Sequence, residues 1–164
     1  MVFDGRKRVV IEHVRPEIDC GTFPIKRVIG EKVVVQADIF ADGHDEVAAS
    51  LLYRSAKEEK WREVPMRFLV KNRWEGSLIV EEMGVYYYTV QGWIDHFRTW
   101  QKDLEKKVNS GQNIKVDLFI GSEYINKAAE RASGKDAERL REIAEILREG
   151  NDVTKAISLA LSED

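Results

Sequence analysis

The side chains able to do chemistry are densest between Arg15 and Asp45 of this 164-residue chain. Asp42, His44 and Asp45 bring two carboxylates and an imidazole into four positions, a donor set that could hold a divalent metal if the groups converged. The intervening Gly43 makes the same four residues a turn, and turn chemistry alone accounts for them, so no metal is assigned. Asp19-Cys20-Gly21 offers a thiol, but no histidine adjoins it to act as base, and a structural or inert cysteine is the simpler reading. Trp61, Trp74, Trp93 and Trp100 could stack on sugar rings or fill a core. Trp74 alternates with Gly76 and Leu78 as a core residue would, whereas Trp61 stands among Lys60, Arg62 and Glu63 and is the candidate for an exposed platform. Glycosidase chemistry needs two carboxylates at a fixed separation on a rigid floor. The sequence identifies neither such a pair nor a phosphate-cradling glycine loop, so catalytic residues are expected to be none, and no cofactor is expected.

The elements that position these groups change character near Thr99. From Arg8 to about Asp95, short runs rich in Val, Ile, Tyr and Trp are separated by Gly, Pro, Asp and Asn. Strands are predicted at Arg8–Glu12, Lys32–Phe40, Ala48–Ser55, Trp61–Phe68, Arg73–Val80 and Val85–Asp95. In the second of these, Val33, Val35, Ala37 and Ile39 share one face and Gln36 and Asp38 the other, the pattern of a half-buried antiparallel strand. Met83-Gly84 reads as the entry to a central strand in which one of the tyrosines, Tyr86, Tyr87 or Tyr88, bonds back across the corner of an Ig-like sandwich. Beyond Thr99 the period becomes helical. Trp100, Leu104 and Val108 share a face ahead of Gly111; a second helix is predicted over Ile114–Ser133 with Gly134 marking its end; a third over Asp136–Glu149 stops at Gly150; and Asn151 or Asp152 caps a last one. The fold class expected is mainly β with an α appendage: an Ig-like antiparallel sandwich over 1–98 and a short, truncated helical-bundle segment over 99–164.

Composition narrows the partners. Lys and Arg number 26 against 29 Asp and Glu, for a net charge of −3 and a mean hydropathy of −0.40, with both signs interspersed. No field draws a polyanion, so no nucleic acid is expected. The single cysteine fits a reducing compartment, and no apolar run is long enough for a signal or a membrane helix, so a cytoplasmic location and no membrane contact are expected.

Five segments together carry a resemblance: V-R-P-E-I-D-C-G-T-F-P-I-K-R-V-I-G-E, A-D-I-F-A-D-G-H-D, W-R-E-V-P-M, N-R-W-E-G-S and Y-Y-T-V-Q-G-W-I-D-H-F-R-T-W-Q-K-D-L-E-K-K-V. In this order, over roughly Arg8 to Ala132, they resemble the N-terminal region of the bacterial α-1,4-glucan:maltose-1-phosphate maltosyltransferases, enzymes of the α-amylase superfamily. After Gly134 only helical character matches. The resemblance implies a parent transferase that moves maltosyl units from maltose 1-phosphate to an α-1,4-glucan with retention. It also implies that the catalysis belongs to a (β/α)₈ barrel following this region, for which about 250 residues are needed and which this chain cannot contain.

The resemblance further implies that the sandwich and helices are assembly parts, forming a homodimer interface close to the mouth of the barrel. On that basis the stiff loop from Asp19 to Arg27, between Pro16 and Pro24, would present Lys26 or Arg27 to a partner subunit or the substrate cleft. The alternative is a loop in which Asp19 caps its own backbone. Two other functions compete with the assembly module: a freestanding glucan-binding module using Trp61 or Trp93, and a protein-interaction adaptor that docks through its helices.

Overall fold

The computed structural model describes residues 8–162. Seven strands precede four helices: β1 (Val9–Arg15), β2 (Lys32–Ala41), β3 (Val47–Ser55), β4 (Arg62–Pro65), β5 (Arg67–Val70), β6 (Arg73–Ile79), β7 (Tyr86–Ile94), α1 (His96–Asn109), α2 (Lys115–Arg131), α3 (Gly134–Glu149) and α4 (Val153–Ala160). The chain divides into two compact units, residues 1–95 and 96–164.

In the first unit the strands form two antiparallel sheets, one ordered β1-β2-β6-β5 and the other β4-β3-β7. The alternation in β2 sets the core: Val33, Val35, Ala37 and Ile39 are buried, with Leu78 of β6 from the same sheet and Ala49 and Leu51 of β3 from the other. Side chains from both sheets thus share one apolar layer, which makes the unit a sandwich. Each fully buried Val, Leu or Ile there contributes about 1.5–3 kcal/mol.

Two strand expectations need correction. The predicted strand Trp61–Phe68 is two strands that belong to different sheets. Its first half pairs with β3 as β4, the chain crosses at buried Met66, whose N–H still donates to Ala49 O at 2.8 Å, and the second half pairs with β6 as β5. Pro65 sits at the crossing, where its missing N–H interrupts the ladder least. The strand entered from Met83-Gly84 is an edge strand, since β3 is the centre of its sheet. The tyrosines do alternate between faces, and the Tyr88 hydroxyl donates to the Pro16 carbonyl. Burial holds the Tyr88 phenol above its ordinary pKa, reinforced by the Glu17 carboxylate.

The second unit packs its helices around Trp100, Leu104, Leu118, Ile125, Ala144, Leu147 and Ala156. The expected stripes of α1 and α3 face this core. Gly111 and Gly150 close α1 and α3 in left-handed conformations, φ 68° and 61°, where glycine carries no Cβ penalty. Asp152 caps α4 by accepting from Lys155 N at 3.0 Å. Three boundaries differ from the expected ones. Helix α1 opens at His96 instead of beyond Thr99, because its first turn carries no apolar stripe to announce it. Helix α2 ends at Arg131, and Gly134 begins α3 instead of closing α2. Among the described residues no helix is long and apolar enough to cross a membrane.

Candidate functional site

The polar residues singled out by chemistry and Trp61 lie at separate places on the first unit. The Asp42–Asp45 turn is occupied by its own salt links: Arg8 lies 3.6 Å from Asp42 and 2.7 Å from Asp45. Among the described residues no group of three or more His, Cys, Asp or Glu could hold a metal ion. The arrangement is that of a turn tied to the start of β1.

The loop from Asp19 to Arg27 is built by backbone. Asp19, Cys20 and Gly21 take consecutive positive φ values of 48°, 54° and 79°. Gly21 N donates to Ile18 O at 3.1 Å, while the Asp19 carbonyl accepts from Thr22 N at 3.0 Å and from Thr22 Oγ1 at 2.6 Å. The cap of this turn is therefore the carbonyl of Asp19, with the Thr22 hydroxyl as donor. Cys20 is free and exposed. Arg27 folds back on its own segment, donating to Lys26 O at 2.8 Å and approaching Glu31 at 3.4 Å, so its charge is partly spent locally. Lys26 stays exposed. Arg27 also lines an open groove of about 370 Å³ with Arg15, Pro16, Glu31 and Lys32.

Trp61 lies elsewhere, at the end of the three-stranded sheet. The Arg54 guanidinium sits 5.1 Å from the Trp61 ring centroid and 5.4 Å from that of Tyr87, a cation flanked by two aromatic rings. Arg54 donates to the Glu58 carbonyl, and the Glu58 carboxylate accepts from Arg62 at 2.7 Å and from Ser55 N at 3.2 Å. Arg62 continues to Glu81 at 2.7 Å. The Arg62 hydrogen bond, helped by the Ser55 amide, holds the Glu58 carboxyl below the usual range, and the two carboxylates keep Arg62 charged. Trp61 thus stands on a hydrogen-bonded corner. Sequence reading singled out Trp61 but not Arg54 and Tyr87, which come together through the β3–β7 register that pairs Arg54 with Tyr87. Trp74 is partly buried, donates its indole N–H to Ile39 O at 3.1 Å and meets Phe68 edge-on, as a core residue.

On the four-stranded sheet, Asp38 accepts from Arg73 at 2.7 and 3.0 Å and lies 3.0 Å from His13, whose φ of 50° marks the irregularity between β1 and β2. This triad borders an open cleft with Phe40, Val70 and Lys71. Both Asp38 oxygens are already engaged by Arg73 and His13.

Comparison with known proteins identifies the family. A sequence model of the family described as α-1,4-glucan:maltose-1-phosphate maltosyltransferase, domain N/S, matches residues 7–164. Curated relatives carry the name α-1,4-glucan:maltose-1-phosphate maltosyltransferase. That of Chlorobaculum tepidum is 48% identical over 161 residues, covering 98% of this chain and 24% of the relative. That of Methylacidiphilum infernorum is 44% identical over 124 residues, 76% of this chain and 19% of the relative. That of Myxococcus xanthus is 41% identical over 149 residues, 86% of this chain and 22% of the relative. The chain spans a quarter or less of the length of these relatives. By both the family match and these identities, the chain belongs to the α-1,4-glucan:maltose-1-phosphate maltosyltransferase family and corresponds to its N-terminal N/S region.

Proposed function

We propose that this chain is a non-catalytic assembly module of a maltosyltransferase, holding two copies of the enzyme together while a larger catalytic portion transfers maltosyl units from maltose 1-phosphate to an α-1,4-glucan. The observation that carries the reading is the outer face of α2. Val116, Phe119 and Ile120 are 70%, 50% and 41% exposed at helical spacing i, i+3, i+4, while Leu118, Ser122 and Ile125 of the same helix are buried. A helix apolar on its outer face as well as its inner one exposes surface that association would remove from water. Arg148 lies 5.6 Å over the Phe119 ring and pairs with Glu123, giving the patch a polar rim of the kind interfaces have.

The proposal includes an Ig-like reading of the sandwich, with Tyr88 as its corner tyrosine, and a barrel of the α-amylase superfamily as the catalytic partner. The exposed thiol of Cys20 suits a cytoplasmic, reducing setting. Lys26, exposed on a backbone-braced loop, is the residue of that loop free to reach a partner subunit or a substrate cleft. The test is to incubate the chain with maltose 1-phosphate and a maltooligosaccharide and to follow free phosphate. The expected result is no release above the protein-free rate, and turnover would refute the non-catalytic assignment.

A further inference from the structure

The outer face of the three-stranded sheet carries a feature that the assembly proposal does not invoke. In β7 the burial alternates residue by residue, so Tyr87, Thr89, Gln91 and Trp93 share one face and Tyr88 and Val90 point into the core. The register places Arg54 beside Tyr87, Leu52 beside Thr89, Ser50 beside Gln91 and Ala48 beside Trp93. Trp61 completes the row at the Arg54 end. The face therefore reads aromatic at one end, hydroxyl and amide in the middle, and aromatic again at the other end. Trp61, Tyr87 and Trp93 are 44%, 50% and 41% exposed.

We propose that this face binds a linear, uncharged α-linked glucan, with Trp61 and Tyr87 stacking one part of the chain, Trp93 another, and Thr89 and Gln91 hydrogen-bonding the hydroxyls between. Exposed rings flanked by hydroxyl and amide groups suit a ligand whose rings have apolar C–H faces and polar edges. Tyr87 and Trp93 are six residues apart on an extended strand, about 20 Å, so the ligand must be an oligomer several sugar rings long. Rigidity supports the assignment: Arg54 is held between two rings and by the Glu58 carbonyl, and Glu58 and Arg62 lock the corner beneath Trp61. A preformed platform loses little entropy on binding.

The choice of an α-glucan rests on the family reading above, but the aromatic row does not, and the two fail separately: association through α2 is read from the mass of the chain without sugar and turnover from phosphate release, whereas binding at the row is read from shifts at residues 54, 61 and 87–93. The experiment titrates the full chain with maltoheptaose and, in parallel, cellohexaose, following amide chemical shifts and tryptophan fluorescence. Expected are maltoheptaose shifts confined to residues 54, 61 and 87–93. Trp61→Ala and Trp93→Ala should each weaken binding by roughly three- to tenfold, the value of one aromatic contact. Trp61→Phe, which keeps a ring on the same corner, should retain most of the affinity and guards against a folding defect in the alanine variant. No shifts at millimolar maltoheptaose, shifts elsewhere, or unchanged affinity in both alanine variants would overturn the proposal. Equal binding of cellohexaose would overturn the α-linked assignment.

Discussion

Gly121→Ala is expected to unfold the helical unit more easily, although glycine-to-alanine changes inside helices ordinarily stabilise. A Cβ built on Gly121 would lie 2.0, 2.5 and 2.7 Å from three carbons of the Trp100 indole. These distances leave no room, and the ring is not a flexible tip that can bend aside. Trp100 is nearly fully buried, packs on Phe97 at 5.2 Å between centroids and donates its indole N–H to Asp117 O at 2.8 Å. To accept the methyl group the indole must shift, at an overpacking cost of about 1–3 kcal/mol. Lengthening its hydrogen bond costs roughly 1 kcal/mol more. Helix propensity returns about 1 kcal/mol. The net is a loss of about 1–3 kcal/mol, and since 1 kcal/mol shifts the midpoint of a domain this small by roughly 4–8 °C, the helical transition should fall by about 5–20 °C. The assay is thermal and urea unfolding followed by far-UV circular dichroism, which reads the helices, alongside amide signals of the sheet unit, which should not move. Adding Trp100→Leu to Gly121→Ala should cost less than the two single losses combined, because the clash exists only between them. A Gly121→Ala protein as stable as the parent would refute the close packing on which this reasoning stands.

Three further outcomes are expected. Glu58→Gln should lower stability at neutral pH and have no effect in acid. The Glu58 pKa is depressed in the folded chain from an ordinary value of 4.5, so its contribution is complete above that value and is lost as the pH falls through the depressed one; urea midpoints of the two proteins measured across that range should converge. Asp152→Ala removes the acceptor for Lys155 N and should cost about 1 kcal/mol, read as a lower midpoint for the helical unit, whereas Asn151→Ala should leave it unchanged. Phosphate release from maltose 1-phosphate should remain at the protein-free rate at any concentration of this chain.

Most of the architecture could be read from residue types because the local signals agreed with the tertiary outcome. The alternation of Val33, Val35, Ala37 and Ile39 can bury only one face of a strand, and Gly150 and Asp152 bracket a helix boundary by backbone chemistry. The break at Met66 could not be read. Val64, Met66 and Phe68 keep period two through the crossing, so a strand that continues and a strand that changes sheets have the same pattern. The start of α1 was hidden for a related reason: His96 and Arg98 are exposed, and the first buried position of the helical stripe is Trp100. At the candidate site, composition pointed to Trp61, but the Trp61–Arg54–Tyr87 row is made by pairing between residues more than thirty positions apart, which a single sequence does not encode legibly. The Asp19–Arg27 loop was expected to rest on a carboxylate cap or to offer its charges outward. In the structure a run of left-handed residues closes the turn through the Asp19 carbonyl, Arg27 bonds to its own loop and Lys26 is exposed, backbone detail that residue types alone do not show.

The central claim, that the module associates with a second copy of itself through the outer face of α2, is tested most directly by the mass of the chain in solution. Light scattering across a concentration series should give a dimer, unchanged by maltoheptaose, for the parent chain, and a monomer for Val116→Ser/Phe119→Ser with its circular dichroism intact. A monomeric parent at every concentration, or a variant that still dimerises, would contradict the account.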